Sequence, residues 1–155
     1  MTLRLSDSFH IECHDWQQAR PWAEPIRIAV FVEEQGVPAT REIDGADPAC
    51  LHALAFDRDG HAIGTARLMP DGRIGRMAVR AANRGQGVGS AMLQALVDQA
   101  TARGMQRVYL HAQSRASAFY ARHGFVTTGA EFTEAGISHR AMTLELADAP
   151  ARDSG

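Results

Sequence analysis

Residues Asn83 to Met92 read NRGQGVGSAM, with glycines at 85, 87 and 89 set between an apolar run and a segment of helical periodicity. A glycine-rich turn that opens a helix presents backbone N–H groups with no Cβ in front of them, and the helix dipole adds roughly half a positive charge at that end. Such a corner suits phosphate. Glycines can also serve only to tighten a turn or to let elements pack closely. Arg84 tips the balance, because its forked guanidinium pairs with a phosphate whereas a mere turn needs no cation.

Downstream of the corner, Val88, Met92, Leu93, Leu96 and Val97 form an apolar stripe that predicts a helix from about Gly87 to Arg103, stopped by Gly104. Upstream, Cys50 to Phe56, Ala62 to Leu68 and Arg73 to Val79 read as three strands separated by RDG and PDG turns, an antiparallel meander. Phe9 to Cys13 reads as a further strand. Trp16 to Glu34 has helical spacing, with Pro21 and Pro25 predicting a broken helical segment. Between them and the meander, Gln35 to Pro48 (QGVPATREIDGADP) reads as a long loop. After the corner helix come a strand, Gln106 to Ala112, a short helix, Ala116 to Arg122, and a final pair of strands, Phe125 to Thr128 and His139 to Leu146. This order predicts an α/β (α+β) chain: a mixed, mostly antiparallel central sheet with helices on both faces.

At 155 residues the chain has the length of one domain, read here as 1–146, with residues 147–155 (ADAPARDSG) as a disordered tail. A net charge of -2 argues against a broad nucleic-acid footprint. Two cysteines, Cys13 and Cys50, argue against a disulfide framework and fit a reducing compartment. Asp7, His10 and Glu12 interrupt the first residues where a signal peptide would be apolar, and no apolar run approaches a membrane span, so the expectation is a soluble, cytoplasmic protein without membrane partners. An edge strand near the C-terminus would suit a homodimer. No CxxC or HExxH occurs, and no metal is expected.

Two common phosphate motifs do not fit. Gly89 is followed by Ser90 with no lysine, against the P-loop; the spacing is GxGxG, against the dinucleotide fingerprint. The string Arg84-Gly85-Gln86-Gly87-Val88-Gly89, following the strand RIGRMAV, instead resembles the Arg/Gln-x-x-Gly-x-Gly/Ala signature of the GNAT superfamily of acyl-CoA-dependent N-acyltransferases. Gln113 to Phe125 (QSRASAFYARHGF) is similar to that family's second signature, and residues 31–47 (FVEEQGVPATREIDGAD) resemble the N-terminal region of its ElaA-like branch. Gln113 departs from the asparagine common there.

The resemblance implies the GNAT fold and acetyl-CoA-dependent N-acetyl transfer to a primary amine by direct transfer in a ternary complex, the acceptor being a small molecule or a protein or peptide amine. It implies that the N–H groups of Gly85, Gln86, Gly87, Val88, Gly89 and Ser90 hold the pyrophosphate beside Arg84, that the strand end Met77, Ala78 and Val79 pairs with pantetheine, and that Gln113 and Tyr120 lie on the cofactor side. Tyr120 is the implied acid for the departing thiolate; packing under a helix is its structural alternative, with Phe119 the expected core-facing partner. A lysine-like ammonium of pKa about 10.4 must lose its proton before attack. Glu33, Glu34, Asp44, His52 and His111 are the candidates, with Glu33 and His111 preferred; the glutamates also read as a solvated acidic face and Asp47 as a turn residue. A catalytically silent acyl-CoA-binding module is the other reading of the same residues.

Overall fold

Pro21 and Pro25 do not break the first helix. In the computed structural model, which describes residues 3–6 and 8–146 (3–6 and Arg41 by backbone alone), helix α1 spans Trp16–Arg27 and runs through both prolines. The two are four residues apart and both exposed, whereas Ala19, Ala23, Ile26 and Arg27 are buried. The missing N–H groups therefore fall on the solvent side, where water can satisfy the carbonyls they leave behind. Asp15 caps the start by accepting from the Gln18 N–H at 3.0 Å. The helix then widens into a π-helical turn, Ile28–Glu34, in which the Gln35 N–H reaches the Val30 carbonyl at 3.0 Å.

The chain divides into two compact units, Met1–Pro70 with Ile74–Leu96, and Asp71–Arg73 with Val97–Gly155. In the first, strands β1 (Leu3–Ser6), β2 (Phe9–His14), β3 (Leu51–Asp57), β4 (Ala62–Leu68) and β5 (Ile74–Val79) form an antiparallel sheet in chain order. The expected meander is present, with β1 an unanticipated addition. Ala19 and Ala23 of α1 pack on Leu54 and Phe56, and Ile26 and Val30 pack on Ala78. The predicted long loop contains a short helix, α2 (Ala39–Glu42), and a 3-10 turn at Asp47–Ala49. The pairing of β4 with β5 jumps from Thr65–Ala78 to Arg67–Gly75, and Arg76 takes φ 49°, the left-handed region, within this irregular step.

Helix α3, Val88–Ala102, begins in the first unit, where Val88 and Met92 sit against Gly64: a Cβ on Gly64 would lie 3.0 Å from the Met92 methyl. In the second unit β6 (Arg107–Gln113), β7 (Val126–Glu134) and β8 (Ile137–Glu145) form a second antiparallel sheet in the order β6-β8-β7. Arg73 makes a single parallel bridge to Tyr109. Helix α4 is Ser117–Ala121. Strands β7 and β8 together run well past the expected final pair and meet in a tight turn at Ala135 and Gly136, both at positive φ. The expected tail, 147–155, lies outside the described residues.

Candidate functional site

The glycine corner is an open backbone surface. Gly85 and Gly87 hold φ of 79° and 87°, and a Cβ at either would meet nothing within 4 Å. Glycine is therefore used there for its backbone conformation, since no neighbour demands a small residue. Residues 84–87 are exposed, and the chain enters α3 at Val88, whose side chain anchors the helix in the core while Gly89 and Ser90 stay half-buried in its first turn. The N–H groups of that first turn point away from the helix body, as in any helix start. Just upstream, Ala78 is buried against Ile26 and Val30, and Met77 and Val79 are half-buried.

Arg84, expected beside a phosphate, is fixed by protein groups. Its Nε donates to the Val79 carbonyl at 3.0 Å, and its two terminal nitrogens donate to the two carboxylate oxygens of Glu34 at 2.5 and 2.7 Å. Glu34 is thus the partner of an arginine; it and its neighbour Glu33 are both exposed.

The acidic loop supplies structure. Asp47, expected to be an ordinary turn residue, is buried and bonds Arg27 at 2.8 and 3.1 Å and Arg67 at 3.0 Å. Burial on its own would raise the Asp47 pKa, but the bonds to Arg27 and Arg67 outweigh it and hold the carboxyl below its ordinary value. Asp44, a candidate base, bonds Arg67 at 2.6 and 3.1 Å and Arg76 at 3.1 Å, and these guanidiniums hold it far below the usual carboxylate range. It cannot take a proton from an amine near neutrality. His52 is 0% exposed, with Nε2 on the Asp47 carbonyl at 3.0 Å and its ring 4.7 Å from that of Trp16; burial lowers its pKa and walls it off from any substrate. The Cys50 thiol donates to the Ala46 carbonyl at 3.2 Å and is pushed up by burial, so it is no nucleophile; Cys13 is half-buried. Asp57, Asp59 and His61 cluster at the β3–β4 turn, where the Asp57 carboxylate accepts the N–H groups of Asp59 and His61, a turn cap.

His111, Gln113 and Tyr120 belong to the second unit. Arg73 donates to His111 Nδ1 at 3.0 Å, and a guanidinium cannot accept, so the neutral ring carries its hydrogen on Nε2 and has no lone pair left for an amine. The Glu134 carboxylate lies 3.4 Å from the same Nδ1, and the Phe132 ring meets the imidazole edge-on at 5.1 Å. Gln113 ends β6 and accepts from Arg115 Nε at 3.2 Å. Tyr120 packs edge-to-face on the buried Phe125, at 6.1 Å, and on Phe119, at 4.9 Å; Phe119, expected to face the core, is half-buried, as is Tyr120. Desolvation pushes the Tyr120 phenol up to about 12.

The family model of the acetyltransferase (GNAT) domain matches residues 28–146. The chain belongs to the GNAT acetyltransferase family. It is 37% identical over 121 residues to YjcF of Bacillus subtilis, described as an uncharacterized N-acetyltransferase, covering 76% of this chain and 86% of that protein. Among solved structures it resembles an acyl-CoA N-acyltransferase from Pseudomonas aeruginosa (TM-score 0.79, 31% identity, 88% of this chain and 99% of that one) and Escherichia coli ElaA (TM-score 0.78, 28% identity, 88% and 99%). The GNAT assignment makes the protein an acyltransferase. GNAT enzymes use acetyl-CoA as cosubstrate and act on amine acceptors. The ElaA likeness agrees with the resemblance carried by residues 31–47. Among the described residues, no helix is long and apolar enough to cross a membrane.

Proposed function

We propose that this protein is an acetyl-CoA-dependent N-acetyltransferase that moves an acetyl group to a primary amine by direct transfer in a ternary complex, with residues 1–146 working as a single catalytic domain. The observation that carries the reading is the exposed left-handed corner at Gly85 and Gly87, which closes the eight-residue connection, 80–87, between the end of β5 and the start of α3. In this reading the N–H groups of residues 85 to 90 take the pyrophosphate, and the backbone of Met77, Ala78 and Val79 pairs with the amides of pantetheine as an added strand would. The same reading assigns Gln113 to the cofactor.

The amine nitrogen attacks the thioester carbonyl, the C–N bond forms, and the C–S bond breaks with its electron pair on sulfur. The reading gives Tyr120 the leaving sulfur as its partner. Its phenol, at about 12, is a weaker acid than a thiol at about 8.5, so full proton transfer from Tyr120 to the thiolate runs uphill. Its role is therefore to donate a hydrogen bond to the developing thiolate, which a group neutral throughout the physiological range can do at every turnover. The amine proton goes, directly or through water, to a base. Glu33 is exposed and suits that task; His111 would first have to release Arg73.

The engagement of Asp44, His52 and His111 favours one second reading, a catalytically silent acyl-CoA-binding module. Tyr120→Phe, assayed by thiol release from acetyl-CoA across a panel of primary amines, separates the two. The enzyme loses turnover and keeps CoA binding; a wild-type chain that binds CoA and acetylates no amine is the binding module. The acceptor is expected to be a small-molecule, protein or peptide amine, in the cytoplasm, and the edge strand β7, with Val126 exposed, suits a homodimer.

A further inference from the structure

Glu34 ends the π-helical turn and stands fifty residues before the arginine it holds. Both carboxylate oxygens are used, each on a different terminal nitrogen of Arg84, while Nε of the same guanidinium donates to the carbonyl of Val79, the last residue of β5. Three hydrogen bonds thus fold one side chain back along its own approach to the corner. Two groups in this arrangement are also assigned to the cofactor. The Val79 carbonyl is one of the acceptors assigned to pantetheine, and the guanidinium is the cation assigned to pyrophosphate.

We infer that Glu34 is a positioning residue that competes with the cofactor for Arg84, so that CoA binding is an exchange of one anion for another at this guanidinium. The inference rests on the CoA reading of the corner. A carboxylate carries one charge on two oxygens, whereas a pyrophosphate offers more charge and more acceptors to the same planar fork. On arrival of the cofactor, Arg84 turns from Glu34 to the pyrophosphate and leaves the Val79 carbonyl to a pantetheine amide. Glu34 therefore sets a threshold on cofactor affinity. The pair is well exposed, about 42% for Glu34 and 43% for Arg84, so the threshold is small: exposed pairs shift an equilibrium by about two- to five-fold.

The test is a calorimetric titration of CoA into wild type, Glu34→Gln, Arg84→Met and the double variant, each checked for an unchanged unfolding midpoint. Competition predicts that Glu34→Gln tightens CoA about two- to five-fold in the wild-type background and has no effect once Arg84 is methionine. Weaker or unchanged CoA binding in Glu34→Gln overturns the inference, as does an equal gain in the Arg84→Met background, since Glu34 would then act on the ligand by another route. A wild-type chain that takes up no CoA overturns the CoA reading itself, and this inference with it.

Discussion

Arg27 and Asp47 stand twenty residues apart in sequence and meet through two parallel hydrogen bonds, Nη1 to Oδ1 at 2.8 Å and Nη2 to Oδ2 at 3.1 Å. The same guanidinium sends Nε to Glu42 at 2.6 Å, and Asp47 also accepts from Arg67. Both side chains of the central pair are almost fully buried. The loop that sequence reading leaves structureless is thus riveted to α1 and β4 by ions that face away from water. Removing one ion would strand the others.

Asp47→Ala is expected to cost about 3 kcal/mol of folding stability, because it leaves Arg27 and Arg67 buried without their shared carboxylate. Urea unfolding measures it. Asp44→Ala, on the half-exposed rim of the same network, is expected to cost distinctly less.

The pH dependence has two stages. Burial depresses the folded-state pKa of His52, so the unfolded chain binds a proton there first, and stability begins to fall below about pH 6.5. Asp44 and Asp47 are also depressed in the fold, by their arginine partners; their contribution is complete above about pH 4 and is lost as pH falls further. Unfolding midpoints from pH 8 to 3 should show both slopes, and His52→Gln should remove the upper one while sparing the lower.

Gly87→Ala and Gly60→Ala form a matched pair, since both positions have φ near the same value, 87° and 86°, and open space where a Cβ would go. Each is expected to cost about 1 kcal/mol in stability. Only Gly87→Ala should also weaken CoA binding, by about ten-fold or more, because the corner's N–H groups would be displaced. Equal CoA affinity in the two variants would remove the corner from the cofactor site.

Tyr120→Phe is expected to lower kcat by about 100-fold with the CoA dissociation constant held within about two-fold. With its phenol pushed up to about 12, Tyr120 stays protonated through the working range, so it should contribute no falling limb to the kcat profile between pH 7 and 9. Unchanged kcat would reduce Tyr120 to a packing residue on Phe125.

The meander, α3 and the corner were legible because their signals are local: alternating apolar residues, a helical stripe and glycines at a turn. Asp47 reads locally as a turn residue and does open a 3-10 turn, yet its carboxylate reaches Arg27 and Arg67, each twenty residues away, and no local pattern announces such a meeting. The prolines of α1 misled because their effect depends on which face they occupy, and both face out. Strand β7 was cut short because most of its residues are exposed and polar, without the alternation that marks a half-buried strand. Which of Phe119 and Tyr120 meets Phe125 was not legible because α4 is short: five residues barely complete a turn and define no face by periodicity. At the candidate site, the corner was visible in sequence, and what occupies Arg84 was not, since Glu34 lies fifty residues upstream on another element.

If this GNAT chain uses its glycine corner for acetyl-CoA, the cofactor must bind it in solution. Titration calorimetry with acetyl-CoA, CoA, NADH and ATP decides this. Saturable heat is expected with acetyl-CoA and CoA, and none with NADH or ATP. Absence of binding by either CoA species, or binding of NADH or ATP in their place, would rule out the corner as an acetyl-CoA site.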